Sequence, residues 1–249
     1  MAPKNTSHTI GIDVGIRNLA FCIIESTKKS SKFPITIVDW QNISLLPEIN
    51  PDLCSAVTAK SHKCKNVAKW EINADTESVD TTTNTDTIKV CGRHRSGKSG
   101  KLLNMLPKIN IKSIGIHRIV QFMASKLDNF PELLSKTTTV YIETQPTKNP
   151  QMKFMSAAIA TYFLIRASDR NVEISVHNSS SKHKLRVYKG PPVNVTQKNG
   201  YKRRKATAIL HTEKLLENVD DSEKWIGFFR AQKKKDDLAD AFLHSIRIK

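Results

Sequence analysis

The chain has no run of 18 or more apolar residues, which excludes a transmembrane helix. Its opening residues, MAPKNTSH, contain no apolar stretch, so no secretory signal is expected. The Asn-x-Ser/Thr sequons at Asn5, Asn42, Asn178 and Asn194 are then expected to stay unmodified. No basic helix with bulky apolar residues on its opposite face stands out, which argues against a membrane surface as partner. Acid is the scarce charge: 23 Asp and Glu against 40 Lys and Arg leave a net +17 and a pI near 9.8. Such an imbalance points to a polyanionic partner, most often nucleic acid. There are only four cysteines, in a chain expected to stay inside the cell, so metal ligation is favoured over disulfides. With 39% hydrophobic and 25% charged residues, the composition is globular rather than disordered.

What is present is organised around Thr9–Glu25, TIGIDVGIRNLAFCIIE. Two β-branched and aromatic runs flank a short turn containing Gly15, Arg17 and Asn18, the pattern of a β-hairpin. Phe33–Trp40 reads as a third strand of the same meander. From about Glu48 to Gly100 the chain turns polar and Thr-rich, with three of the four cysteines and an acidic stretch at Thr76–Thr87. This predicts an insertion, residues 48–100, in a domain made of residues 1–47 and 101–249. Helical spacing resumes over Ile111–Leu134, with Ile116, Ile119, Val120, Met123, Ala124 and Leu127 on one side. Thr137–Gln145 reads as a buried strand. Pro150 opens a helix that is apolar on nearly all sides from Met152 to Ala167, a candidate subunit interface. Val172–His177 predicts a fifth strand. A Gly/Pro/Ser-rich loop then leads to a helix opened by Tyr201–Lys205 and running to about Asn218, and Asp236–Ile248 forms a last helix. Three meandering strands followed by alternating strands and helices imply a mixed five-stranded sheet flanked by helices.

Four acids interrupt apolar elements: Asp13 in the first strand, Glu143 in the Thr137–Gln145 strand, and Asp237 and Asp240 three apart on the last helix. A carboxylate in a core strand is costly unless a cation or hydrogen bonds compensate it. Taken singly, each could be an ordinary surface acid. Together, in a strongly basic chain, they fit a divalent-metal nuclease. Two Mg²⁺ or Mn²⁺ ions about 3.5–4 Å apart stabilise both the attacking and the leaving oxygen of a phosphodiester. Asp13 is the candidate bridge, Glu143 would hold one ion, and Asp237 with Asp240 would complete the other side. Between Lys182 and Lys205 lie nine Lys and Arg and no acid, a run that repels itself unless an anion is present.

IGIDVGIRNLAF, YIETQPTKNPQMKF and KKKDDLADAFLHS resemble the three active-site blocks of RuvC-like Holliday junction resolvases, in particular the branch of poxviruses, iridoviruses and other large DNA viruses. The resemblance implies a ribonuclease H-like fold, a homodimer, and symmetric Mg²⁺-dependent cutting of four-way DNA junctions. By this resemblance Asp13, Glu143, Asp237 and Asp240 occupy the family's four acidic positions, and Tyr201–Lys205 falls where the family has DNA-binding lysines. Arg17, Lys148, Lys153, Lys202, Arg203, Arg204 and Lys205 are the expected DNA contacts. The resemblance also implies a location inside the cell, such as a viral replication site in the host cytoplasm or nucleus. The long insertion departs from the poxvirus form, and Asp236 is an extra acid with no assigned role. GIDVG also resembles the first phosphate loop of actin-like ATPases, but no downstream Asp-x-Gly loop accompanies it. Two other readings stay open: a nuclease acting on RNA–DNA hybrids with the same four acids, and a non-catalytic zinc DNA-binding protein.

In the insertion, Cys54, Cys64, Cys91 and His94 follow C-x9-C…C-x2-H, with a tight Cys91-x2-His94 pair that suits structural Zn²⁺. His62 is an alternative ligand. Gly92–Ser99 matches the phosphate-loop pattern G-x4-G-K-S, but it lacks the buried strand before it and the long helix after it. Arg93, Arg95, Lys98 and Lys101 are better read as phosphate contacts of a DNA-binding surface.

Overall fold

The computed structural model describes residues 6–27, 35–46, 53–57, 62–66, 68, 70–72, 88–94, 103–105 and 114–246. In chain order the elements are β1 (Thr6–Asp13), β2 (Asn18–Thr27), β3 (Thr36–Ser44), β4 (Trp70–Ile72), β5 (Ile88–Val90), β6 (Leu103–Met105), α1 (Ile116–Leu127), α2 (Glu132–Ser135), β7 (Thr137–Glu143), α3 (Pro150–Asp169), β8 (Ser175–Ser179), α4 (Ser181–Lys184), α5 (Gly200–Leu216), α6 (Ser222–Ala231) and α7 (Lys235–Ser245). The start of the expected third strand (Phe33), the acidic stretch Thr76–Thr87 and the residues Arg95, Lys98 and Lys101 lie outside the described set. The chain divides into two compact units, Met1–Pro47 with Ile114–Lys249, and Glu48–Ser113. The second unit runs past the expected boundary at Gly100 because Leu103–Met105 supplies one edge of its small sheet, ordered β5-β4-β6.

The larger unit holds a five-stranded sheet in the order β3-β2-β1-β7-β8. β1, β2 and β3 are antiparallel neighbours, while β7 and β8 run parallel to β1. This is the mixed sheet with flanking helices of the ribonuclease H-like class. The antiparallel half needs only short connections. The parallel half needs crossovers, which α1 and α3 supply. Alternation along β2 sorts its side chains between the two faces. Ala20, Cys22 and Ile24 join a core with Trp40 and residues of α5, α6 and α7. Phe21 points the other way and meets Phe130 edge-on at 5.1 Å.

The core on the α7 side is centred on Trp40. Its ring stacks on Phe229 at 5.2 Å and lies 5.3 Å from Phe242, and its indole N–H donates to the Leu238 carbonyl at 3.1 Å. A buried Trp needs such a partner for its one polar atom. Phe229 comes from α6, a helix the sequence reading did not anticipate. α6 is short, contains Gly227, and buries only Trp225 and Phe229 along its length.

On the same face of the sheet, α7 approaches β1 very closely. A β-carbon on Gly11 would come within 2.2 Å of both the Ala241 carbonyl oxygen and the Ser245 nitrogen. These are backbone atoms of a helix and cannot swing aside. Overpacking of a core typically costs about 1–3 kcal/mol, and a clash with two backbone atoms belongs at the upper end. Gly11→Ala is therefore expected to lower the thermal midpoint by roughly 6–12 °C, at about 2–4 °C per kcal/mol for a chain of this size. A midpoint within a degree of wild type would show that β1 and α7 do not touch here.

Candidate active site: a buried carboxylate cluster

The sheet register brings two acids from distant parts of the chain side by side. β1 ends at Asp13 and β7 ends at Glu143. Ile12 pairs with Ile142 across the parallel β1–β7 ladder, so the next residue on each strand leaves the sheet at the same level. Asp13 shares a face with Gly11, two residues before it, and that is the face covered by α7. Asp240 precedes Ala241, the residue packed on Gly11, and so faces the strand ends. One carboxylate oxygen from each of Asp13, Glu143 and Asp240 lies within 4.8 Å of the others.

This crowding distorts the acidity of each group. Burial, a hydrogen bond with Glu143 and repulsion from Glu143, Asp240 and Asp237 push the Asp13 carboxyl well above the usual range. Glu143 goes the other way. Burial opposes its ionisation, but His244, Asp13 and Lys184 together outweigh that and hold it below the usual range. Burial dominates at Asp240 and raises its pKa despite Lys184. Asp13 and Glu143 are thus pushed in opposite directions, Asp13 toward its protonated form and Glu143 toward its ionised one. The Oδ1 atom of Asp240 is buried and has no hydrogen-bond partner. Three convergent carboxylates, one pushed toward protonation by burial and repulsion and one with an orphaned oxygen, suit a hard divalent cation bound through oxygen.

Asp237 lies outside the group of three. It sits one turn earlier on α7, where its carboxylate accepts from Asn42 Nδ2 at 3.4 Å and lies 3.9 Å from Lys234 Nζ. It is still near enough to add to the repulsion at Asp13. Asp236, which had no role in the sequence reading, is the partner of Lys205. That ion pair removes Lys205 from the freely projecting cations of α5, while Lys202, Arg203 and Arg204 are exposed. Arg17, Lys148 and Lys153 are exposed as well.

Three residues that complete the site, Lys184, His244 and Ser179, carry no distinguishing signal in the amino-acid sequence. Lys184, in the four-residue α4, places its ammonium 3.0 Å from Glu143 Oε1 and 2.5 Å from Asp240 Oδ2. It was one cation among nine in the basic run, and only the fold sets it apart. His244 follows Asp240 by one turn on α7. Its Nδ1 meets the Ser179 hydroxyl at 2.8 Å, and its Nε2 lies 3.8 Å from Glu143 Oε1, a distance for electrostatic attraction rather than a hydrogen bond. Ser179 is placed by the β7–β8 ladder, in which it pairs with Glu143.

In the smaller unit, Cys54, Cys64, Cys91 and His94 offer ligand atoms that all lie within 4.8 Å of one another. His62, the alternative ligand, is exposed and outside that group. Burial disfavours the Cys91 thiolate, but hydrogen bonds from the His94 and Arg93 backbones and from Asn66 and Cys54 outweigh it, lowering the pKa to about 6. Gly92 and Arg93 form the turn between Cys91 and His94. The remainder of the phosphate-loop pattern, including Gly97, Lys98 and Ser99, lies outside the described residues. Among the described residues no helix is long and apolar enough to cross a membrane.

Comparison with known proteins places this geometry in context. Over 94% of its length the chain is 28% identical to the uncharacterized protein L451 of Acanthamoeba polyphaga mimivirus, and it covers 72% of that protein. It is similar to the solved structure of Thermus thermophilus RuvC, with a TM-score of 0.46 and 10% identity over 96% of this chain and 91% of the other. It is also similar to the fowlpox virus resolvase solved with its Holliday junction substrate, with a TM-score of 0.43 and 14% identity over 96% of this chain and 94% of the other. Residues 9–147, from the opening hairpin through Asp13 and Glu143, match the catalytic family described as mitochondrial resolvase Ydc2 / RNA splicing MRS1. That span is more than half of the chain, and the chain belongs to this family.

Proposed function

We propose that this chain is a Holliday junction resolvase: a Mg²⁺-dependent, structure-selective endonuclease that nicks four-way DNA junctions symmetrically. The observation that carries this reading is the convergence of Asp13, Glu143 and Asp240 at the ends of two parallel strands. Asp13, Glu143 and Asp240 would hold the divalent cation, with Asp237 one turn away as a further ligand. Bound there, Mg²⁺ or Mn²⁺ would supply charge stabilisation to the attacking and leaving oxygens of the phosphodiester.

The protein's own residues prepare the site. Lys184 neutralises part of the charge on Glu143 and Asp240, so these carboxylates can be buried together before a cation arrives. The hydrogen bond between the Ser179 hydroxyl and His244 Nδ1 fixes the imidazole with Nε2 beside Glu143, which limits how that carboxylate can turn. DNA contact is assigned to the start of α5. Lys202, Arg203 and Arg204 crowd the first turn of a helix that has no acid there. Cations at a helix N-terminus oppose the macrodipole, whereas a phosphate at the same place would relieve both. A junction with two-fold symmetry calls for two copies of the chain. The exposed Phe154, Leu164 and Ile165 of α3 support a dimer contact on that helix.

The direct test incubates purified protein with a synthetic four-way junction, a matched linear duplex and an RNA–DNA hybrid, each with Mg²⁺ or with EDTA. Paired nicks in the junction alone, only with Mg²⁺, are expected. Preferential cutting of the hybrid would replace the resolvase reading with a ribonuclease H-type one. Junction binding without cutting under any metal would leave a binding protein. Asp13→Asn should bind the junction but cut at least about 100-fold more slowly, since several kcal/mol of metal stabilisation is lost at about 1.4 kcal/mol per tenfold.

His244→Ala is expected to raise the Mg²⁺ concentration for half-maximal cutting by roughly 10–100-fold, the usual effect of losing a group that orients a metal ligand. Junction affinity measured in EDTA should not change. An unaltered Mg²⁺ midpoint would remove His244 from the site.

Replacing Lys202, Arg203 and Arg204 together with Gln should weaken junction binding and flatten its dependence on log salt by roughly 2–3, at about 0.9 per phosphate contact. Lys205 is left in place because Asp236 holds it. An unchanged slope would move the DNA contact away from α5.

A further inference from the structure

The acidic site uses oxygen ligands and lies in the larger unit. The smaller unit carries a second cluster of different chemistry. We propose that Cys54, Cys64, Cys91 and His94 bind one Zn²⁺ in a closed four-ligand site, and that this ion serves as the core of the Glu48–Ser113 unit.

The geometry is that of a tetrahedral site. His94 Nδ1 lies 3.4 Å from Cys54 Sγ and 3.5 Å from Cys91 Sγ. Zinc binds sulfur at about 2.3 Å and imidazole nitrogen at about 2.0–2.1 Å, so tetrahedral angles set the S···N separation at roughly 3.5 Å. All four ligand atoms fall within 4.8 Å of one another. The three thiols are free rather than disulfide-bonded. Three sulfurs around one imidazole exceed what a Cys–His nucleophile needs, and burial of all three cysteines would close such a site to substrate. Three thiolates and an imidazole also make a soft donor set that selects zinc over Mg²⁺.

The backbone is arranged to deliver these ligands. Cys54 N–H donates to the Asn66 carbonyl and Cys64 N–H to the Ala56 carbonyl, each at 2.9 Å. Together with the antiparallel bridge between Val57 and Lys63, these bonds clamp two short segments so that Cys54 and Cys64 meet. On the other side, Cys91 leaves β5 and a tight turn returns His94, whose N–H donates to the Cys91 carbonyl at 3.1 Å. Asn66 Nδ2 points at Cys91 Sγ at 3.8 Å, a donor suited to a metal-bound thiolate.

The core composition gives the ion its role. Among the described residues of this unit the buried cluster consists of Cys54, Cys64, Val90 and Cys91, with Ala56 packed beside it. Three of its four buried members are the sulfur ligands. Units of fewer than about 70–80 residues rarely stabilise themselves by apolar burial alone and recruit disulfides or a metal. Among the described residues the apolar side chains that accompany the cysteines are small and few, Val90, Ala56 and the buried Ala68, and none of these cysteines forms a disulfide. Metal binding then becomes folding energy for the unit. Because four protein ligands fill the coordination sphere, the ion has no open position for water or substrate.

The test uses the full chain purified without chelator. Elemental analysis should find about one zinc per chain in wild type and in Asp13→Asn, and under about 0.1 in Cys91→Ser and in Cys54→Ser, given a four-ligand site. Wild-type protein in which zinc is exchanged for Co²⁺ should show the intense visible d–d bands and thiolate-to-metal charge transfer of tetrahedral sulfur ligation. This reading holds even if the cysteine variants fold poorly. A thiol-blocking mercurial should release the zinc and open residues 48–113 to protease ahead of the rest. Wild-type protein without zinc, full zinc occupancy in Cys91→Ser, or a weak six-coordinate Co²⁺ spectrum would each overturn the proposal. None of these readouts depends on cleavage of DNA, so failure of the nuclease reading leaves the result intact.

Discussion

The backbone of α7 lies against β1 at Gly11, with the Ala241 carbonyl and the Ser245 nitrogen standing where a β-carbon would otherwise project. The acid site depends on that contact. Asp13 is two residues along the strand from Gly11, on the same face. Asp240 is the residue before Ala241, and His244 the residue before Ser245. A side chain at Gly11 would lift the helix from the strand and carry Asp240 and His244 away from Asp13 and Glu143. The same helix supplies the Leu238 carbonyl to Trp40, so core packing and site geometry are set by one docking event.

The site is held in a state that ordinary folding would avoid. Three carboxylates close together and largely buried repel one another, and desolvation penalises each charge. The structure answers in two ways. Lys184 bridges Glu143 and Asp240, and the Asp13 carboxyl is pushed well above its usual range, toward the protonated form. Both devices are weaker than a divalent cation would be. A proton satisfies one carboxylate, and a single ammonium leaves Asp240 Oδ1 without a partner. The arrangement is therefore one that a stronger positive charge would compensate, the pattern of perturbed acidity on which the proposed function rests.

Much of the fold was legible because its determinants are local. β-Branched alternation with a Gly15 turn marked the hairpin, and helical spacing marked α1, α3, α5 and α7. Asp13, Glu143 and Asp240 could be picked out as acids set in apolar elements, an anomaly visible without coordinates. Lys184 and His244 could not. Lys184 looks like any member of a basic run, and His244 like a residue on an amphipathic helix; their roles come from α4 meeting α7 and from the β7–β8 register. α6, only ten residues long and interrupted by Gly227, escaped although Trp225, Phe228 and Phe229 recur at helical spacing. In the insertion, spacing suggested Cys54, Cys64, Cys91 and His94 as a group but could not choose between His94 and His62. The Cys91–His94 turn makes that choice.

The charge distribution imposes an order on events at the acid site. A net +17 draws a polyanion toward the chain from a distance. Close to Asp13, Glu143 and Asp240 the local field has the opposite sign, and a phosphodiester there meets carboxylates that repel it. Lys184 cannot reverse this, because its one charge is already shared between Glu143 and Asp240. Under the proposed function the long-range attraction would bring DNA to the exposed cations of α5, while the phosphate to be cut would be excluded until the carboxylates are neutralised. Binding of the nucleic acid and admission of the scissile phosphate would then be separate steps with separate electrostatic requirements. The first follows from composition, and the second from the few ångströms that separate β1, β7 and α7.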